Sequence, residues 1–140
     1  MTLELRATPE EVMRAVDSVR EFARAHGASE KTIFGLAVAV EECASNIVNH
    51  ALQRDPKEKF HVSIEQNGDA FVIELRDRGP EFDPTVARKR EPQVDDEEQI
   101  GSWGIELARR YTDEILYARR NGENVLRLSK RLREAREQIN

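Results

Sequence analysis

The sequence predicts an α+β fold, a two-layer sandwich in which helices lie on one face of a mixed, mostly antiparallel sheet. Two segments with apolar residues at helical spacing come first, over about 9–25 and 29–53. Two pairs of segments with alternating apolar and polar residues follow, and each pair is joined by an Asn-Gly dipeptide, a strong signal for a hairpin. Early helices followed by hairpins favour helices packed on an antiparallel sheet.

The totals predict one folded domain over residues 1–140 and disfavour several classes of protein. The net charge of −5 disfavours a general binder of nucleic acids or anionic membranes, since both need a cationic surface. The longest apolar run, residues 33–40, is too short to cross a bilayer, and residues 1–6 do not resemble a signal sequence. A lone cysteine, Cys43, fits a reducing compartment. We therefore expect a cytoplasmic protein with no direct nucleic-acid or membrane partner.

The first helix has a clear start. Thr8 can cap it, Pro9 suits its first turn, and Glu11 can complete a capping box. Gly27 ends this helix, and Ser29 can cap the second one. The second helix is therefore predicted to run to about residue 53, and Pro56 prevents it from going further.

The two hairpins supply the strands of the sheet. Apolar and polar residues alternate on both sides of Asn67-Gly68, and a second pair of strands is turned by Asn121-Gly122. The predicted strands cover about 60–65, 71–75, 114–119 and 124–131.

The segment between the hairpins is less regular. Residues 77–84 form a tight loop, and residues 85–100 have no clear period, so we expect a mobile loop there, a type that is usually functional or disordered. A third helix is predicted to start near Trp103. Residues 133–140 form a polar tail.

The second helix carries an unusual polar stripe formed by Glu42, Ser45, Asn46 and Asn49, which helical spacing places together. No Lys or Arg occurs from Thr32 to Gln53, although charged residues make up 35% of the chain. One interpretation is an ordinary amphipathic helix whose wet side happens to be uncharged. The other is a site for a hard cation, since an amide oxygen can ligate Mg²⁺ and a carboxylate one turn away can deprotonate a hydroxyl. The stripe alone does not separate the two.

Two glycine-containing loops are weak signals when each is taken alone. Asp77-Arg78-Gly79-Pro80 follows a strand and is either a simple turn or a place where Asp77 accepts a hydrogen bond from an exocyclic amine. In the second interpretation, Gly79 lets the backbone approach a flat ligand. Gly101-Ser102-Trp103-Gly104 precedes a helix and would aim backbone N–H groups at an anion.

The order of these motifs resembles the ATP-binding domain of the GHKL superfamily, the Bergerat-fold ATPases. The likeness extends from the first helix to about residue 132 and is greatest to the small bacterial anti-sigma-factor serine/threonine kinases. It implies a Bergerat fold that binds ATP and Mg²⁺, with residues 85–100 as the ATP lid. It also implies a kinase that phosphorylates a serine on a STAS-type anti-sigma antagonist, sequesters a sigma factor and forms a homodimer.

The resemblance also assigns roles to residues. In the ECASN motif, Glu42 would be the catalytic base and Asn46 the Mg²⁺ ligand, and Asp77 would accept from the adenine amine. The other expected nucleotide-binding residues are Asn49, His50, Gly79, Phe82, Gly101, Ser102, Trp103 and Gly104, of which Trp103 has packing as its simpler role.

The sequence departs from the family pattern in the lid and in the last strand. Residues 84–99 contain no glycine, and around Arg127, where many relatives have a Thr, only Ser129 could supply a hydroxyl. These departures favour the alternative of a nucleotide-binding or protein-binding module that sequesters a regulator without phosphoryl transfer. The intact Glu42 and Asn46 pair favours the kinase.

Overall fold

The computed structural model describes residues 1–86 and 105–132, which form helices packed on one five-stranded sheet. The strands are β1 (Thr2–Arg6), β2 (Lys59–Asn67), β3 (Ala70–Asp77), β4 (Glu114–Arg120) and β5 (Glu123–Arg131). The helices are α1 (Pro9–Ala25), α2 (Glu30–Asn46), a π-helical turn (Ile47–Ala51) and α3 (Glu106–Tyr111).

The sheet has the order β1-β2-β3-β5-β4, and each pairing among the described strands is antiparallel. Alternate residues such as Phe60, Ile73 and Leu128 are buried, as expected for strands with one face against a core. The buried faces of α1 and α2 pack on that side of the sheet. The predicted α+β sandwich is therefore confirmed, with an antiparallel sheet in place of a mixed one.

The first helix lies where the sequence predicts it, and the side chain of Thr8 accepts a hydrogen bond from the Glu11 N–H at 3.2 Å. The second helix differs from its prediction. Regular α-helix stops at Asn46 instead of about residue 53, and a π-helical turn continues to Ala51. The chain then reverses through Gln53 and Arg54, which have φ angles of 53° and 57° and cannot continue a right-handed helix.

The strand β1 was not predicted. It pairs with β2 from Thr2↔Ser63 to Arg6↔Lys59 and buries Leu5 in the core. Its five residues alternate only briefly, so a short edge strand of this kind gives a weak pattern in the sequence.

The Asn-Gly dipeptide occupies a different position in each of the two hairpin turns. Asn121 and Gly122 form the two-residue loop with φ angles of 52° and 78°, as the prediction requires. In the other hairpin Asn67 pairs with Ala70, so the loop is Gly68-Asp69 and the prediction was wrong by one residue. Glycine at the first loop position, with φ 65°, gives an equally tight turn.

Several predictions fall outside the described residues. They concern most of the 85–100 lid, the glycine loop at 101–104 with the start of the third helix, and the 133–140 tail. Within residues 1–86 and 105–132, no helix combines the length and apolar character needed to cross a bilayer.

Candidate functional site

A cavity lies between α2 and the sheet: the centre of a water-sized sphere can occupy about 30 Å³ of it, within about 400 Å³ of empty space that includes open solvent. Most of its walls are apolar, while Asn46, Asp77 and Asn124 contribute buried polar side chains. This combination is typical of small-molecule sites, in which a few polar groups orient a ligand between apolar surfaces. The described lining residues are Cys43, Asn46, Ile47, Ala51, Leu75, Asp77, Phe82, Pro84, Ile105, Tyr117, Asn124 and Leu126.

Asp77 is the last residue of β3 and is only 4% exposed. Its Oδ1 accepts hydrogen bonds from the Gly79 backbone N–H at 2.9 Å and from the Asn124 Nδ2 at 3.0 Å. Burial raises the pKa of Asp77, whereas the hydrogen bonds from Asn124 and Gly79 and the charge of Arg119 lower it. Both hydrogen bonds reach Oδ1, so Oδ2 can still accept from a ligand.

Asn124 lies directly opposite Asp77, because the antiparallel register of β3 and β5 pairs the two residues. Its Oδ1 accepts from the Phe82 N–H at 3.1 Å and from the Tyr117 hydroxyl at 2.6 Å. Its Nδ2 donates to Asp77 and to the Pro80 carbonyl at 2.9 Å. Asn124 therefore joins two strands and the loop after β3 in one hydrogen-bond network.

Sequence reasoning missed Asn124 and considered Arg127 and Ser129 for the late-strand position. In the sheet, Arg127 pairs with Glu74 and Ser129 pairs with Val72, and neither lines the cavity. Only the register of the two strands shows that Asn124 is the neighbour of Asp77. No local pattern in the sequence relates the two residues, because the pairing of β3 with β5 joins positions 47 residues apart.

Position 79 requires glycine because two backbone segments approach each other closely there. A Cβ at this position would lie 2.7 Å from the Ala51 carbonyl oxygen and 2.9 Å from the Asp77 Oδ1. The Gly79 carbonyl also accepts a hydrogen bond from Arg119 at 2.8 Å. In this structure Gly79 brings the loop against the end of the π-helical turn, whereas the sequence suggested an approach to a ligand.

Phe82 lines the cavity, in agreement with its expected place at the wall of the pocket. Its backbone is fixed by the hydrogen bond to Asn124. The neighbouring Asp83 accepts from both the N–H and the hydroxyl of Thr85, so its carboxylate stabilises the turn that carries Pro84 into the cavity wall.

Glu42 is half-buried, and its carboxylate is directed to the start of α3. One oxygen accepts from the Ala108 N–H at 2.8 Å and the other from the Leu107 N–H at 3.3 Å. These amides have no partner within the helix, so Glu42 caps α3. Asn46, one turn further along α2, is 8% exposed and lines the cavity. Glu42 and Asn46 therefore lie on adjacent turns of α2, and of the two Asn46 is the one in the cavity wall.

Asn49 and His50 lie in the π-helical turn, and neither lines the cavity. The Asn49 Oδ1 accepts a hydrogen bond from the Arg54 Nε at 2.8 Å, which stabilises the reversal of the chain. Ile47 and Ala51 from the same turn face the cavity instead. The wider π-helical spacing thus separates the two polar residues from Asn46.

Cys43 is fully buried and contributes to the cavity wall. Burial, and secondarily the charge of Glu42, raises the pKa of its thiol well above the ordinary value. Because the thiolate is the reactive form, this cysteine is suited to packing.

The described residues contain no group of three or more His, Cys, Asp or Glu side chains arranged to hold a metal ion. Mg²⁺ at nucleotide sites is commonly bound by one or two protein oxygens, substrate phosphates and water. The buried amide of Asn46 fits this role only together with a nucleotide. The predicted residues Gly101, Ser102, Trp103 and Gly104 lie outside the described ranges.

Residues 5–130 match the family described as the histidine kinase-like ATPase domain. The chain belongs to this family. Membership implies ATP binding, and the apolar cavity with its buried carboxylate is consistent with that ligand. The resemblance to GHKL ATPases drawn from the sequence motifs is thereby confirmed.

The chain is 29% identical over 131 residues to the serine/threonine-protein kinase BtrW of Bordetella bronchiseptica, covering 91% of each protein. It also resembles a structure of the RsbU and RsbW domains of a Mycobacterium tuberculosis protein, with a TM-score of 0.66 and 21% identity. That alignment covers 94% of this chain and 32% of the other, so the chain spans about a third of that protein.

A second structural likeness is to the SiaB–SiaC complex of Pseudomonas aeruginosa. The TM-score is 0.60 and the identity 14%, with 93% of this chain and 88% of the other covered. At these identities the two structures support the fold, while the kinase relationship rests on the family and on BtrW.

Proposed function

We propose that this protein is an ATP-dependent protein serine/threonine kinase and anti-sigma regulatory factor. It phosphorylates a serine on a STAS-type anti-sigma antagonist, sequesters a sigma factor, and works as a cytoplasmic homodimer. The observation that carries the kinase proposal is the placement of the Glu42 carboxylate on α2, one helical turn from the cavity-lining Asn46. The family and the relative named as a kinase support it.

The residues that line the cavity suit the adenine ring of ATP in their chemistry. Ile47, Phe82 and Leu126 provide apolar surface for a flat ring. The Asp77 carboxylate provides an acceptor for the 6-amino group at the buried end of β3. Purine recognition in this proposal therefore depends on the sheet side of the cavity.

Phosphoryl transfer requires a metal ion on the phosphates and a group that directs the nucleophile. Mg²⁺, held by Asn46 and the phosphates, would neutralise the charge that develops during transfer. Glu42 accepts the proton of the substrate serine. At the same time the Oγ of that serine forms a bond to the γ-phosphorus of ATP, and the bond between the γ-phosphorus and ADP breaks. A carboxylate has about four lone-pair sites, so a carboxylate that caps a helix can also act as a base.

The absence of Lys and Arg along the polar stripe of α2 is consistent with this chemistry. A Lys or Arg near Glu42 would pair with its carboxylate and compete with Mg²⁺ for the phosphates. None occurs from Thr32 to Gln53.

A second candidate is a module that binds nucleotide and sequesters a regulator without transferring phosphate. The occupation of both Glu42 oxygens by the N–H groups of Leu107 and Ala108 favours it, because the residue then has a sufficient structural role as a helix cap.

The matched variants Glu42→Gln and Glu41→Gln separate the two candidates. Glu41 is the adjacent, exposed carboxylate, and Gln at position 42 keeps an oxygen for α3 while losing the base. With labelled ATP and the antagonist encoded nearest to this gene, Glu42→Gln should lower the transfer rate by roughly 100-fold or more. ATP affinity should stay within about threefold of the unsubstituted protein, as expected for a residue outside the purine pocket.

The Glu41→Gln control should transfer at the unsubstituted rate. A Glu42→Gln protein that retains most of its activity would show that Glu42 is not the base. If the unsubstituted protein binds ATP and the sigma factor but labels no antagonist, the sequestering module replaces the kinase.

A further inference from the structure

The side chain of Asn124 uses its whole hydrogen-bonding capacity inside the protein. An asparagine has two N–H donors and two carbonyl lone pairs, and four partners are present: Phe82 and Tyr117 donate, while Asp77 and Pro80 accept. No capacity remains for a ligand, although Asn124 lines the cavity. Any effect on a ligand must therefore act through one of these four partners, of which Asp77 carries the carboxylate that lines the cavity.

The orientation of this amide follows from the chemistry of its partners. The backbone N–H of Phe82 can only donate, and the backbone carbonyl of Pro80 can only accept. A flipped amide would place N–H against N–H on one side and oxygen against oxygen on the other. The Asn124 N–H groups consequently face Asp77, and they stabilise its ionised form more than its neutral form.

The surroundings of Asp77 leave its charge dependent on this contact. Burial favours the neutral acid, and Glu123 from β5 acts in the same direction, whereas Arg119 from β4 and the Gly79 N–H favour the carboxylate. From α2 and the π-helical turn, the cavity receives only the uncharged side chains of Cys43, Asn46, Ile47 and Ala51. From β4 it also receives Tyr117, whose pKa is raised by burial and which therefore stays a neutral phenol.

We propose that Asn124 is a positioning residue for purine selectivity, holding Asp77 as an oriented carboxylate that accepts from the 6-amino group of ATP. The inference rests on the proposed binding of ATP and adds the residue that sets its specificity. A carboxylate in this position rejects a 6-oxo purine, whose oxygen would face it. A neutral carboxylic acid could instead donate to that oxygen.

Binding of ATP and of inosine triphosphate to the Asn124→Leu variant tests the inference. Titration calorimetry between pH 5 and 8.5 should show that the unsubstituted protein prefers ATP and loses this preference as falling pH protonates Asp77. In Asn124→Leu, ATP should bind about tenfold more weakly at neutral pH, the size of one charge-assisted hydrogen bond, while inosine triphosphate changes little. The pH midpoint of the preference should rise by about one unit.

The titration of the Asp77 carboxyl carbon by NMR gives a readout that needs no nucleotide. Its midpoint should move upward in Asn124→Leu by the same amount as the midpoint of ATP preference. If Asn124→Leu does not fold, Asn124→Ala removes the amide N–H groups with a smaller side chain that brings no new donor, and it serves the same comparison.

The Thr32→Val variant is the matched control for a general loss of stability. Thr32 is fully buried, its hydroxyl accepts from Ser29 at 3.1 Å, and it does not line the cavity. Thr32→Val should leave both the selectivity and its midpoint unchanged.

Two results would overturn the inference. One is equal weakening of both nucleotides in Asn124→Leu with no movement of either midpoint, which would show a purely structural role. The other is an unsubstituted protein without preference for ATP. A failure of phosphoryl transfer with selectivity intact would count against the kinase proposal alone.

Discussion

The two walls of the cavity are built in different ways. On the sheet wall, one hydrogen-bond network joins Asp77, Asn124 and the loop after β3. On the helix wall, Asn46 lines the cavity while Glu42 is bonded to α3. Recognition of the purine thus depends on a network fixed by strand register. The position of Glu42, the proposed catalytic base, depends instead on the docking of a short helix. Nucleotide binding and phosphoryl transfer should therefore be separable by mutation.

The largest effect is expected from Asp77→Asn, which tests whether the sheet wall recognises the purine. The carbonyl of the new amide can still accept from Gly79 and Asn124, so its NH₂ group would meet the 6-amino group of ATP. ATP affinity should fall by about 100-fold, or about 2.7 kcal/mol, in calorimetry. Asp69→Asn, in the exposed loop of the first hairpin, should have no effect. A loss of ATP affinity of threefold or less would show that the sheet wall does not bind the purine.

The contact between the two walls is tested by Gly79→Ala. The added Cβ would meet the Ala51 backbone at 2.7 Å, so one segment must move at a cost of about 2 kcal/mol in the free energy of unfolding. Gly35→Ala is the control, because its Cβ would lie 3.1 Å from the Lys130 side chain and 3.4 Å from the Tyr111 Cβ, with no backbone atom among these contacts, and alanine gains helix propensity. Urea denaturation should place Gly35→Ala within about 1 kcal/mol of the unsubstituted protein. Equal stability of the two variants would show that the walls are not tightly joined.

The smallest effect concerns the helix wall. Glu42→Ala should lower the free energy of unfolding by about 1 kcal/mol, since it removes the cap of α3. Glu42→Gln should lose less, because its amide oxygen can still accept from the Ala108 N–H. Glu41→Ala at the exposed neighbouring position should change stability least. If all three variants are equally stable, Glu42 does not hold α3.

Local patterns predicted much of the fold. The start of α1 at Pro9, the Asn121-Gly122 turn and the strands on both sides of it agree with the structure, because caps, turn residues and alternation act over a few residues. The end of α2 was predicted too late. Its π-helical turn is stabilised by contacts such as the one between Asn49 and Arg54, which helical spacing does not reveal.

Some of the residues that the sequence singled out line the cavity. Asp77 and Phe82 were expected at the pocket and line it, as does Asn46, while Asn49 and His50 do not. Their roles toward ATP and Mg²⁺ remain proposals that the variants above address.

The sequence by itself determined which residue types are present for this chemistry and which local elements carry them: a carboxylate and an amide one turn apart on a helix, and an aspartate at the end of a strand. Only the tertiary structure decided the neighbours of these groups. It placed Asn124 opposite Asp77, 47 positions away, and turned Glu42 toward the amides of α3, 66 positions from its partner Ala108. Strand register and helix docking minimise the free energy of the whole core, so contacts of this range cannot be read from a local pattern.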